Sequence, residues 1–259
     1  MNQVCHENTK KGSNTPEGDL KPYLQILAIL AQRIGGTLLQ FGLRTAILAA
    51  TGGNMSLLYI LDLIGTAAFA ASGAWAGIHK RMDLLGVLIL GVVTATGGGT
   101  LRDILLGDFP PFCLKDELYL YVSLAVALLV FIFNQKITFL RNPLLYFDAI
   151  GLGTFVVIGT QKAISYQMGP LGAILLGVMT ATAGGVLRDV LSNDVPLILR
   201  KETLYASVCF AGGCLLVLLS YTPLPGPLAA LLAALTVIIL RIMAIRNNWT
   251  LPRADDLKN

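Results

Sequence analysis

The chain repeats itself. Shifted by 86 residues, the stretch from Asp62 to Tyr119 runs without a gap beside Asp148 to Tyr205, with 26 identities in 58 positions. The matches pair Asp62 with Asp148, Gly65 with Gly151, Phe69 with Phe155, Gly91 with Gly177, Thr94 with Thr180 and Thr96 with Thr182. They continue through Gly98 and Gly184, Gly99 and Gly185, Arg102 and Arg188, Asp103 and Asp189, Asp108 and Asp194, and Pro110 and Pro196. Shared apolar composition alone does not bring charges and glycines into register, so the chain holds two copies of one structural unit.

Each copy contains three apolar stretches separated by short polar loops. The chain is 55% hydrophobic and 13% charged, against roughly 25% charged in a soluble globular protein. A spanning helix needs about 20 apolar residues, and the pattern predicts spans near 57–78, 84–106, 118–134, 144–161, 170–191, 203–220 and 224–244. An odd number of spans per copy makes the second copy enter the bilayer from the opposite side, an arrangement known from transporters. The expected fold is an all-α integral membrane protein with seven transmembrane helices: two inverted three-helix repeats (56–134 and 142–220) plus a seventh span (224–246). A tail at 247–259 follows.

Residues 1–55 stand apart as an N-terminal extension. The first 22 are polar and are expected to be disordered. Residues 23–50 read as an amphipathic or short apolar helix interrupted by Arg33, Gly35, Gly36 and Arg44, and the core alternatively begins near Met55. With the first span starting outside, the inward loops and C-terminal end carry Lys80, Arg81, Lys136, Arg141, Arg200, Lys201, Arg241, Arg246, Arg253 and Lys258, and the outward loops carry Lys115 and Lys162. The bias of basic residues toward the cytoplasm places the start of the core outside and the C-terminus inside.

Catalytic and metal chemistry find little support. Cys5, Cys113, Cys209 and Cys214 lack paired spacing and the histidines are His6 and His79, so neither a metal site nor a cofactor is expected. No nucleophile elbow or phosphate loop occurs, which argues against an enzyme. The net charge of +4 resides in loops, the pattern of membrane orientation rather than of nucleic-acid binding.

The strongest local signal lies in the second span of each repeat, TATGGGTLRD at 94–103 and TATAGGVLRD at 180–189. Glycines at mid-span permit a kink or break, and a broken helix inside a bilayer requires a lined cavity. Carbonyls near Thr94, Thr96, Thr180 and Thr182 would then suit a cation, and amides after Gly97, Gly98, Gly99, Gly184 and Gly185 an anion or carboxylate. The other reading is that the glycines let helices pack closely. Arg102, Asp103, Arg188 and Asp189 lie inside spans, where a charge costs on the order of 3 kcal/mol without a partner. Because sequence neighbours do not face each other on a helix, their partners are expected on other helices, either as a clamp between repeats or in contact with a solute. Asp62 and Asp148 read either as carboxylates at a helix start or as functional groups, and Phe69 and Phe155 either as packing or as a constriction.

The doubled DLIGTAAFA (62–70) and GGGTLRD (97–103) segments in a 3+3+1 helix plan resemble the bacterial branch of the trimeric intracellular cation channel family, whose repeat is also known as a glycine-transporter domain. The likeness covers about residues 56–245. It implies a homotrimer in a bacterial inner membrane, each protomer with its own pore lined by kinked second and fifth spans and conducting monovalent cations, chiefly potassium. The kink residues implied are Gly97, Gly98, Gly99, Gly184 and Gly185; Ala183 replaces the first glycine of the triplet in the second copy. The alternative is a secondary carrier for glycine or another small zwitterion, which Arg102 and Arg188 would hold by its carboxylate.

Overall fold

A computed structural model describes residues 55–137, 142–200 and 204–250, with isolated positions before them. The expectations for residues 1–54 and for 251–259 lie outside the described residues. Among the described residues seven long helices follow one another: α1 (Met55–His79), α2 (Leu84–Leu106), α3 (Leu118–Ile132), α4 (Pro143–Ser165), α5 (Pro170–Leu191), α6 (Ala206–Ser220) and α7 (Gly226–Asn247). Among the described residues there is no strand.

Their boundaries follow from residue chemistry. Asp83 caps α2, its Oδ1 accepting the Gly86 amide at 2.8 Å, which satisfies one of the unpaired amides of a first turn. Prolines at the starts of α4, α5 and α7 occupy positions that have no hydrogen bond to lose. Left-handed residues recur at the repeat offset: Arg81 (φ 57°) with Gln167 (φ 58°), and Gly107 (φ 69°) with Asn193 (φ 55°). The connecting turns of the two copies therefore share one backbone path.

Among the described residues five helices, α1, α2, α4, α5 and α7, are long and apolar enough to cross a membrane. The third helix of each repeat is shorter, 15 residues in both α3 and α6, or about 22 Å at 1.5 Å per residue. The expected stretches at 118–134 and 203–220 are thus trimmed at one end, and short turns at Phe112–Lys115 and Leu197–Leu199 lead into them.

The repeats interlock rather than sit side by side. The pairs α1/α4 and α2/α5, equivalent helices of the two copies, pack against each other. Phe69 and Phe155 meet there with ring centroids 5.2 Å apart, both completely buried. α7 lays Ala229, Ala230, Ala233, Ala234 and Val237 against α4 and α6 and turns Leu228, Leu232, Leu235 and Ile239 outward, the division expected where lipid replaces water.

Candidate functional site

The glycine motif does not divide its helices. α2 and α5 are helical without interruption through Gly97-Gly98-Gly99 and Gly184-Gly185, which corrects the expectation of separate half-helices with free termini. The glycines instead allow a close crossing. A Cβ on Gly98 would collide with the carbonyl oxygen of Thr180, and one on Gly184 with that of Thr94, so the two backbones touch. The threonine hydroxyls stay within their own helices: Thr94 donates to Leu90 O at 2.6 Å, Thr180 to Leu176 O at 2.7 Å, Thr96 to Val92 O and Thr182 to Val178 O both at 2.8 Å. Such bonds satisfy the hydroxyl without a second helix and favour bending.

At opposite ends of α1 lie two cavities that are equivalents under the repeat. One, of ≈ 550 Å³, is lined by Leu58, Tyr59, Asp62, Arg102, Phe112, Tyr119, Ile158, Gln161, Lys162 and Ser165. The other, of ≈ 400 Å³, includes Leu144, Leu145, Trp75, Ala76 and His79, the 86-residue counterparts of Leu58, Tyr59, Gln161, Lys162 and Ser165, with Lys80, Asp189, Asp194 and Arg200 at its rim. Between them stand the Phe69–Phe155 contact and the Gly98/Gly184 crossing.

The charged motifs converge on these cavities. In both copies the arginine pairs with the aspartate that follows it: Arg102 Nε to Asp103 Oδ1 and Arg188 Nε to Asp189 Oδ1, each 2.8 Å. This corrects the expectation that partners lie only on other helices; the long arginine stem folds back across the last turn. Each aspartate also accepts a loop amide at 2.8 Å, Asp103 from Phe112 and Asp189 from Leu197. In both copies a tyrosine hydroxyl reaches the first-helix carboxylate, Tyr119 to Asp62 at 3.0 Å and Tyr205 to Asp148 at 3.3 Å.

There the equivalence stops. Arg188 also donates Nη1 to Asp148 at 2.7 Å and to Ser72, forming a sealed cluster whose cross-repeat bond goes to a hydroxyl and whose second carboxylate belongs to its own repeat. Arg102 lies on the Phe112 ring, 5.3 Å from its centroid, and forms no ion pair with Asp62. The cross-repeat ion pairs come from residues without equivalents: Lys162 bridges Asp103 at 2.7 Å and Asp108 at 2.6 Å, and Lys80 bridges Asp194 at 2.8 Å. Repeat symmetry could not reveal Lys162, because its counterpart is Ala76. Arg241, counted among the inward basic residues, is fully buried. It rests on the Tyr205 ring, 4.8 Å from its centroid, and donates to Leu204 O.

Doubled three-helix units interlocked through their second helices, with lipid-facing leucines and paired cavities, define a multi-pass helical membrane protein of the internal-repeat class. The model of the glycine transporter family matches twice, at 59–135 and 145–221, again 86 residues apart. The chain belongs to that family, within the bacterial trimeric intracellular cation channels. A membrane protein of Deinococcus radiodurans is 43% identical over 74% of this chain and 89% of its own length, and the Escherichia coli inner membrane protein YadS 41% over 76% and 95%. Among solved structures, a TRIC cation channel described in terms of its conductance shares 42% identity with a TM-score of 0.69, covering 75% of this chain and 95% of that one. The Rhodobacter sphaeroides orthologue shares 35% with a TM-score of 0.71, covering 75% and 100%.

Proposed function

We propose that this chain is a monovalent cation channel selective for potassium, working as a homotrimer with one pathway inside each protomer. The observation that carries the reading is the pair of repeat-related cavities at opposite ends of α1, with the phenylalanine contact and the glycine crossing at the middle of the packed helices. A pathway through the protomer would join them, with Gly97, Gly98, Gly99, Gly184 and Gly185 and the threonines Thr94, Thr96, Thr180 and Thr182 at its narrow middle. Similarity to solved trimeric intracellular cation channels supports the reading.

In the bilayer, α3 and α6 complete seven spans with the two repeats inverted. The core starts outside and the C-terminus lies inside, so that the Asp62 cavity faces out and the Lys80 cavity faces in. This leaves Lys80, Arg81 and Arg200 on the cytoplasmic side.

A second reading, carriage of glycine or a similar zwitterion, is favoured by one observation: Asp62 and Arg102, opposite charges, line a single cavity. Purified protein in liposomes separates the two. Electrogenic potassium flux indifferent to glycine is the expected result; saturable glycine uptake driven by an ion gradient would replace the channel with a carrier.

A further inference from the structure

We propose that the Asp62 cavity binds an exogenous monovalent cation of the guanidinium or ammonium type, in the place where the second repeat receives its own arginine. The inference deepens the cation reading by naming an entry site for the ion. The molecule supplies the template. At Asp148 a tyrosine hydroxyl and a guanidinium share the carboxylate, the latter at 2.7 Å with both partners fully buried. At Asp62 the tyrosine bond is kept, but the guanidinium has turned to Asp103 and the Phe112 ring.

Asp62 is 9% exposed, and its Oδ1 has no hydrogen-bond partner. A buried carboxylate oxygen without a donor is costly. Asp148 likewise keeps one oxygen, Oδ2, without a partner, its tyrosine and guanidinium sharing Oδ1. There, however, a guanidinium balances the charge, and a cation in the Asp62 cavity supplies that balance while offering an N–H to Oδ1. Tyr59, Tyr119 and Phe112 provide aromatic walls, whose faces attract ammonium and guanidinium groups. Arg102 lines the same cavity, yet its charge is answered locally. Among the charged groups bonded to the lining or to one another there, four carboxylates (Asp62, Asp103, Asp108 and Asp116) stand against three cations (Arg102, Lys115 and Lys162), leaving the mouth negative. One open carboxylate oxygen is too few for a calcium ion, which takes about six to eight oxygen ligands.

The test is equilibrium binding of radiolabelled guanidinium to the full chain in detergent, in a buffer whose other cation is too bulky to enter. One saturable site per chain is expected, displaced by potassium. Asp62→Asn should weaken it on the order of tenfold, the scale of a charge-assisted hydrogen bond, and Tyr119→Phe by less. Glu117→Gln, at the exposed rim on Tyr121, should leave it unchanged. Absence of saturable binding to the unaltered protein overturns the proposal, as does binding that survives both Asp62→Asn and Tyr119→Phe. Should Asp62→Asn not fold, the unaltered protein and Tyr119→Phe decide alone. Potassium flux in liposomes is scored separately: binding without flux removes the channel reading and keeps the site, and flux without binding removes the site and keeps the channel.

Discussion

Arg188 is completely buried and reaches Asp148, Asp189 and Ser72, whereas its equivalent Arg102 reaches Asp103 and the Phe112 ring. The same residue types at the same repeat positions thus form a closed ion cluster at one end of the molecule and an open, cavity-lining one at the other. Lysine placement differs in step. Lys162 sits one helical turn deeper in α4 than the position equivalent to Lys80, so it meets Asp103 as well as Asp108, while Lys80 reaches only the rim carboxylate Asp194. Duplication therefore supplied a symmetric frame, and two lysines one turn apart made its ends different. The closed end is sealed by its own ion pairs; the open end lines a cavity.

That contrast fixes an order of expected effects. Arg188→Leu strands two buried carboxylates and should cost about 3–5 kcal/mol, seen as a large loss of thermal stability in detergent; an equal loss in Arg102→Leu would erase the distinction. Gly185→Ala comes next, because its Cβ would lie 2.6 Å from the Tyr205 hydroxyl and 3.2 Å from Asp148 Oδ1, both held in the cluster. Gly99→Ala meets the edge of the Phe112 ring and should destabilise less, since that ring caps a short loop turn. Lys162→Met should lower stability by about 1–3 kcal/mol through the loss of its ion pairs to Asp103 and Asp108. Lys80→Ala, an exposed pair, should change it by less than about 1 kcal/mol, and transferring the lysine inward with Ala76→Lys in that background tests whether depth alone makes the difference.

The smallest effect is a pH dependence confined to the Asp62 end. Hydrogen bonds from Lys115 and then Lys162 hold the Asp108 carboxyl down at about 2, from an ordinary 3.8. A carboxylate with a lowered folded-state value stabilises above its ordinary value, and that contribution disappears as the pH falls through the folded one. Pepsin cleavage of the 107–117 loop should therefore separate Asp108→Asn from the unaltered protein at about pH 5 and converge toward pH 2. A gap that persists at the acid end would show that the ion pairs do not hold this loop.

The sequence exposed the frame well because duplication doubles every constraint: the order of the helices and the matched places of Asp62 and Asp148, Arg102 and Arg188, and Asp103 and Asp189 follow from positions that recur. It was silent where the copies diverge. Lys162 has no lysine opposite it at position 76, and Arg241 lies in a helix outside the repeat, so charge counting took it for a basic residue of the inward C-terminal end. The glycines carried two meanings that composition does not separate, and only the nearness of the Thr94 and Thr180 carbonyls decides for contact between backbones. The pairing of Arg102 with Asp103 escaped the helix-face rule because that rule concerns Cβ directions, and a guanidinium reaches well beyond its Cβ.

The left-handed turns at Arg81 and Gln167, and at Gly107 and Asn193, hold a longer record than the letters do. None of these pairs is identical in residue type, yet the torsions agree within about 15° across 86 residues of separation. Ancestry in a doubled chain can thus be traced by backbone angle after side chains have drifted apart. Unusual torsions recurring at a constant spacing would reveal internal duplication in membrane chains whose halves no longer align by residue.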